Sequence, residues 1–367
     1  MAVRTKSIDK TLLVATLLLV TAGFFIFSSA SLGLLAREGV SYSNITVKQF
    51  VVGFIIGGIT LLVVARIPYR FWRRSAFYFF LIAIITCILV FLPGIGFAHG
   101  GARRWINVGQ YTFQPAELLK LGAVIYFAAW ISAVKDRIKT FKFGALPLFI
   151  IIAICGALLI KQPDTGTFMV LFIALTAMFV AGGGKWRYIF FLILACVGAI
   201  WALTMIRPYL MDRFLTFFDP SRDALGSGYQ IQQSMIAIGS GGIFGRGFGQ
   251  SVQKFNFLPE PIGDSIFAVA AEEFGFIGAL ILISLYIFFA LRGYKIASKV
   301  TDTFGMTLAV GIVSLIVSQA LINIGAMLGV LPLTGIPLTF VSHGGTSMLF
   351  ALAGVGIILN ISKRERA

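Results

Sequence analysis

Four carboxylates and two cations fall within one stretch, 239–273, of a chain in which only 12% of residues are charged. The stretch reads GSGGIFGRGFGQSVQKFNFLPEPIGDSIFAVAAEE, with Arg246, Lys254, Glu260, Asp264, Glu272 and Glu273. Asp264 stands where polar sequence gives way to an apolar run beginning at Ser265. A carboxylate at such a boundary can accept a proton from a hydroxyl, so Asp264 is the candidate catalytic base. The glycines around Arg246 allow backbone to approach a ligand closely, and Arg246, Lys254 and Glu260 are candidate substrate contacts. Gly245-Arg246-Gly247 is a weak dinucleotide-type match with no strand before it, so that reading is rejected.

Three further stretches offer groups that could act with it. In HGGARRWINVGQYTFQPAELLK, Arg103 and Arg104 can bind phosphate bidentately, or anchor an interface beside Trp105. Glu117 and Lys120 share one helix face, and each costs about 2.5–3.5 kcal/mol at mid-bilayer unless paired or hydrated. Such residues normally face a cavity, although a mutual salt bridge is the plainer alternative. In KQPDTGT, Asp164 suits a helix N-cap and Lys161 adds a cation. In VLPLTGIPLTFVSHGGTS, three prolines and a glycine pair suit an irregular segment between helices, with Ser342 a candidate substrate contact. Cations beside an apolar groove fit a lipid that carries phosphate.

The elements that must position these groups are helices. The chain has 367 residues, 58% of them hydrophobic, which suits a polytopic membrane protein rather than a soluble globule. Ten spans are expected, at 12–35, 47–65, 75–92, 115–134, 143–160, 165–181, 186–205, 265–291, 304–328 and 337–361. The first is too long for a signal-peptide core and is kept as a span. The expected class is therefore all-α, one integral membrane domain over 1–367, with a long loop at about 206–263 between helices 7 and 8. Within that loop, 207–218 reads as a helix lying in the headgroup region, and 228–238 as a half-buried helix with Ile231, Met235 and Ile238 inward.

The net charge of +16 sets topology rather than binding nucleic acid. The ends and short loops at 4–10, 66–74, 135–142, 185–187, 292–299 and 363–366 carry 19 of the 30 Lys and Arg. The positive-inside rule makes that side, and both termini, cytoplasmic. Every polar motif then falls on the outer side, out of reach of cytosolic nucleotides. Cys87, Cys155 and Cys196 lie in apolar runs and read as packing residues. His99 and His343 are too isolated for a zinc site, and no metal ligand set is expected.

The motifs GGARRWI, QPAELLK, QPDTGT, GSGYQIQQSMIAIGSGGIFGRGFGQSVQKFNFLPE and LPLTGIPLTFVSHGGTS, collinear over most of the chain, resemble those of the SEDS (shape, elongation, division and sporulation) proteins. The SVQKF stretch is more similar to the division branch, FtsW, than to the elongation branch, RodA. The resemblance implies a peptidoglycan glycosyltransferase of the bacterial inner membrane that polymerises lipid II into a nascent glycan strand. It implies no nucleotide, and as partners a class B penicillin-binding protein and other divisome proteins. It maps the family's essential aspartate to Asp264, its lysine to Lys120, its paired arginines to Arg103 and Arg104, and the QPD aspartate to Asp164. Ile262-Gly263, Asn256 and His343 depart from the residues common in relatives.

The mechanism expected is inverting transfer. Asp264 takes the proton of an acceptor 4-hydroxyl, that oxygen attacks the anomeric carbon, and undecaprenyl pyrophosphate leaves. Arg103, Arg104 and Lys120, with Lys161 or Arg246, would stabilise the developing charge. A divalent cation, Mg or Mn, could bridge the pyrophosphate, though no ligand cluster demands one. Two other classes remain open: a lipid II flippase, which suits intramembrane charges, and a divisome scaffold without catalysis.

Overall fold

The computed structural model describes residues 7–36, 42–99, 102–109, 111–206, 211, 215–223 and 226–363. Most of the chain is helical. The helices are α1 Lys10–Ser31, α2 Tyr42–Lys48, α3 Gly57–Val64, α4 Arg70–Leu89, α5 Pro115–Val134 and α6 Leu146–Lys161. They continue with α7 Thr165–Ala181, α8 Trp186–Ile206, α9 Ser227–Ser240, α10 Ile266–Lys299, α11 Thr303–Met327 and α12 Gly345–Ser362. A π-helical segment, Gln49–Ile56, joins α2 to α3. Among the described residues eight helical segments are long and apolar enough to cross a bilayer, and α7 and the Trp186–Ala199 part of α8 are shorter apolar helices.

The caps follow from local sequence. The Asp9 carboxylate accepts the Leu12 N–H at 2.8 Å and the Asp302 carboxylate accepts that of Gly305 at 3.0 Å, starting α1 and α11. Pro115 opens α5, where its missing N–H costs nothing. Helix ends do not coincide with the ends of apolar runs. The expected span at 75–92 starts earlier, at Arg70, and that at 265–291 runs on to Lys299, because basic side chains outside an apolar slab do not interrupt backbone hydrogen bonding.

α11 is the central helix and touches α5, α7, α10 and α12. Apolar residues such as Ile82, Leu194 and Ile281 point outward. At one end of the bundle Arg292 of α10 pairs with Asp9, while Asn360 of α12 holds Ala65 and Tyr69 between α3 and α4. Residues 4–6 and 364–366, counted among the basic ends, lie outside the described residues.

Three expectations are corrected. The chain is not purely helical: β1 Gly96–His99, β2 Ala102–Val108 and β3 Tyr111–Phe113 form an antiparallel sheet in the order β1-β2-β3. The alternating β-branched and aromatic residues of β2 and β3, turning at Gly109 with φ 63°, suit this pairing. The last expected span does not begin at Pro337. Its helix starts at Gly345, because Pro332 and Pro337 lack N–H donors and Gly335 has φ 68°. In α9 the inward face is Gly228, Ile231, Ser234 and Ala237, while Met235 is exposed. The helix expected over 207–218 falls largely outside the described residues, including Arg207, Leu210, Arg213 and Phe214.

Candidate active site

Asp264 lies on the turn that leads into α10 and is half-buried. Its carboxylate faces Gly335: a Cβ at Gly335 would stand 3.4 Å from Asp264 Oδ2. Gly335 belongs to the non-helical segment between α11 and α12, which runs alongside the Asp264 turn. Three contacts lace the two together. Asn323 Nδ2 donates to Asp264 O and to Ile336 O, both at 2.8 Å. Ser342 Oγ donates to Gly263 O at 2.7 Å while accepting the Leu338 N–H. The His343 N–H donates to Ile262 O at 2.7 Å. Ser342, a candidate substrate contact, is thus engaged in holding the Asp264 turn.

Glu117 and Lys120 are buried one turn apart, Nζ to Oε1 3.0 Å. Lys120 also donates to Gln319 Oε1. Gln319 Nε2 in turn reaches Pro337 O at 3.0 Å, one residue beyond the carbonyl that Asn323 holds. Beside the Lys120 ammonium is a cavity of about 30 Å³ lined by Glu117, Lys120, Gln319, Thr339 and Ser347 among others. That is room for one or two waters. Thr339 Oγ1 is buried there with no hydrogen-bond partner among the described residues.

The sheet brings in the arginines. Successive β2 residues point to opposite faces, so Arg103 is exposed while Arg104 turns inward. Arg104 Nε donates to Gln162 O at 3.0 Å and its Nη2 to Pro163 O, clamping the turn before α7. Asp164, almost fully buried, caps α7 by accepting the Thr167 N–H at 3.1 Å. Gly166 then presses on the Gly335 segment: a Cβ there would lie 2.5 Å from Ile336 Cγ2. Asp264 and Ser342 therefore adjoin residues 334–338 directly, Lys120 through Gln319, and Arg104 through the turn before α7 whose Gly166 packs on Ile336. Glu260 is exposed on the same turn as Asp264. Lys161 sits over the Phe91 ring at 4.6 Å in a cation–π contact.

Lys254 and Arg246 go elsewhere. Lys254 is fully buried and donates to Glu273 Oε1 at 2.8 Å, Gly249 O at 2.9 Å and Ser29 Oγ at 3.0 Å. Its three donors are thereby used, so its expected contact with substrate gives way to a structural ion pair. Arg246 Nε lies 3.6 Å from Glu272 Oε1. Part of the glycine cluster packs against protein. A Cβ at Gly245 would sit 2.2 Å from Glu273 O, and one at Gly241 2.2 Å from Ala271 O. Gly241 and Gly245 let the loop press onto α10, where Gly275 (φ 66°, ψ −167°) breaks the helix, while a Cβ at Gly239, Gly242 or Gly249 would meet open space.

Sequence reading missed Gln319 and Asn323. The available signal was a pair of amides four residues apart, on one face of an otherwise apolar helix. Among the described residues no three His, Cys, Asp or Glu side chains gather as a metal cage. A divalent ion at this site would take most of its ligands from phosphate oxygens and water, as Mg²⁺ commonly does.

The membrane-type bundle and the groups gathered at one of its ends narrow the class, and relatives define it. The family model for FtsW/RodA/SpoVE cell cycle proteins matches residues 10–367. The chain is 37% identical to stage V sporulation protein E of Bacillus subtilis, over 100% of both chains. It is 38% identical to a probable peptidoglycan glycosyltransferase FtsW of Geobacter metallireducens, covering 85% of this chain and 83% of that one. Its fold superposes with TM-score 0.78 on a chain of a peptidoglycan synthase complex, at 25% identity and 97% coverage of each. RodA of Thermus thermophilus gives TM-score 0.70 at 24% identity, with 98% coverage of each chain. The chain belongs to the FtsW/RodA/SpoVE family of membrane proteins.

Proposed function

We propose that this chain is a peptidoglycan glycosyltransferase that joins lipid II units into glycan, with Asp264 as general base. The observation that carries the reading is a shared scaffold at the bundle end opposite the Asp9–Arg292 pair: a half-buried acid faces Gly335, a buried ammonium is tied to Pro337 O through Gln319, and an inward arginine clamps the turn before the helix whose Gly166 packs on Ile336. Relatives named peptidoglycan glycosyltransferase support the same chemistry. The acceptor 4-hydroxyl gives its proton to the Asp264 carboxylate as its oxygen bonds the anomeric carbon. The bond from that carbon to the pyrophosphate oxygen breaks, and the pyrophosphate departs with the electron pair. Arg103, Arg104 and Lys120 oppose the charge that develops on it. Mg or Mn would travel with the pyrophosphate.

The same reading has ten membrane crossings, cytoplasmic termini and a site facing outward, on the positive-inside argument. The transpeptidase partner is a class B penicillin-binding protein, with other divisome proteins in the assembly. Polymerisation of labelled lipid II by the purified chain with its partner tests the assignment. Asp264→Asn should lower the rate about 10²–10⁴-fold without altering melting temperature. Equal glycan output from both proteins would remove the base; lipid II crossing a bilayer with no polymer formed would favour a flippase.

A further inference from the structure

The proposed base lies on a turn, not inside a helix, yet proton transfer needs it placed to within roughly 0.5 Å. Two side chains on the central helix meet that need. Asn323 forks one Nδ2 group between Asp264 O and Ile336 O. Gln319, one turn earlier on the same face, takes the next carbonyl, Pro337 O, and offers its own oxygen to Lys120. Between them the two amides hold successive carbonyls of the segment whose Gly335 faces the Asp264 carboxylate. The acid's backbone and the ammonium are thus fastened to one helix through adjacent rungs.

Asn323 is also incompletely paired. Its Oδ1 is buried with no hydrogen-bond partner among the described residues, as are Gln162 Oε1 and Gln253 Oε1. Asn360, at the opposite end, is a contrast: it donates to Ala65 O and accepts the Tyr69 N–H, both at 2.9 Å, so both ends of its amide are used.

We infer that Asn323 and Gln319 are positioning residues that fix the separation between the base Asp264 and the cation Lys120. This rests on the glycosyltransferase reading above. The measurements are kcat and KM for lipid II per folded molecule, with melting temperature, on the full chain with its transpeptidase partner. Asn323→Ala should lower kcat about 10²-fold, the scale of a 1 Å misplacement, with KM within about threefold, as for an interaction felt only in the transition state. Gln319→Ala should lower kcat about tenfold and raise KM, because Lys120 is released as well. Asn360→Ala should lower melting temperature at least as much as Asn323→Ala while keeping parental kcat. Where Asn323→Ala does not fold, Asn323→Ser is read in the same way. Parental kcat in the Asn323 variant, or an equal fall in Asn360→Ala, overturns the inference. Full activity in Asp264→Asn would instead overturn the base reading itself, so the two failures are told apart.

Discussion

Two buried charge groups divide the stretch 239–273 and its neighbours, and they differ in what is left over. Around Lys254 little is: of the charged pair only Glu273 Oε2 is buried without a partner among the described residues. Its ammonium has three acceptors, Glu272 accepts from Ser251 Oγ and from the Val252 and Gln253 N–H groups, and the glycine loop closes over both. Around Lys120 the chemistry is unfinished. A cavity adjoins the ammonium, Thr339 Oγ1 has no partner among the described residues, and Asp264 is half-buried beside Gly335. The lesson is that density of charge marks where a membrane protein needs charge, not what for. A closed cluster fixes a loop; an open one can receive a substrate.

The comparison breaks most visibly at Lys254. Lys254→Met would strand Glu273 in the interior and should cost about 3–5 kcal/mol of stability, read as a fall in melting temperature. Lys254→Met with Glu273→Gln should recover much of it, and kcat per folded molecule should stay within a few-fold of the parent. A stable but inactive single variant would move Lys254 into the site. Lys120→Met should behave in the opposite sense on activity. In the proposed mechanism it removes charge opposite the departing pyrophosphate, so kcat should fall about 10²–10³-fold in the lipid II assay, and with Glu117→Gln in the same chain stability should be largely kept. Parental turnover in that double variant would reduce Lys120 to a salt-bridge residue.

A smaller effect sharpens the contrast from outside both groups. Burial would raise the Asp9 carboxyl, but the Arg292 hydrogen bond and charge, with the Leu12 N–H, outweigh that and hold it below the ordinary carboxylate value. A lowered folded-state value contributes stability above the unfolded value, and this is lost as pH falls through the folded one. Asp9→Asn, which keeps the helix cap, should therefore cost about 1 kcal/mol at neutral pH and nothing at strongly acid pH. Melting curves between neutral and acid pH check it; a pH-independent difference would refute the linkage.

How legible the site was depended on residue type. Asp264, Glu117 and Lys120 stood out because ionisable groups are expensive in apolar sequence. Gln319 and Asn323 did not, because neutral amides disturb hydropathy little and their partners are backbone carbonyls at residues 264, 336 and 337. The sheet that carries Arg103 and Arg104 was hidden for a related reason: short strands have weak periodicity beside strong helices. Lys254 and the glycine loop misled because a buried ion pair and a substrate-binding cation are written with the same letters.

From sequence alone came the membrane class, the helical segments and the suspicion that Asp264 matters, since each follows from the cost of placing a residue in hydrocarbon. Which charges are answered and which remain open was settled only in three dimensions. That distinction depends on hydrogen bonds between residues such as Ser29 and Glu273, or Lys120 and Gln319, which lie far apart in the chain and meet only when the helices pack.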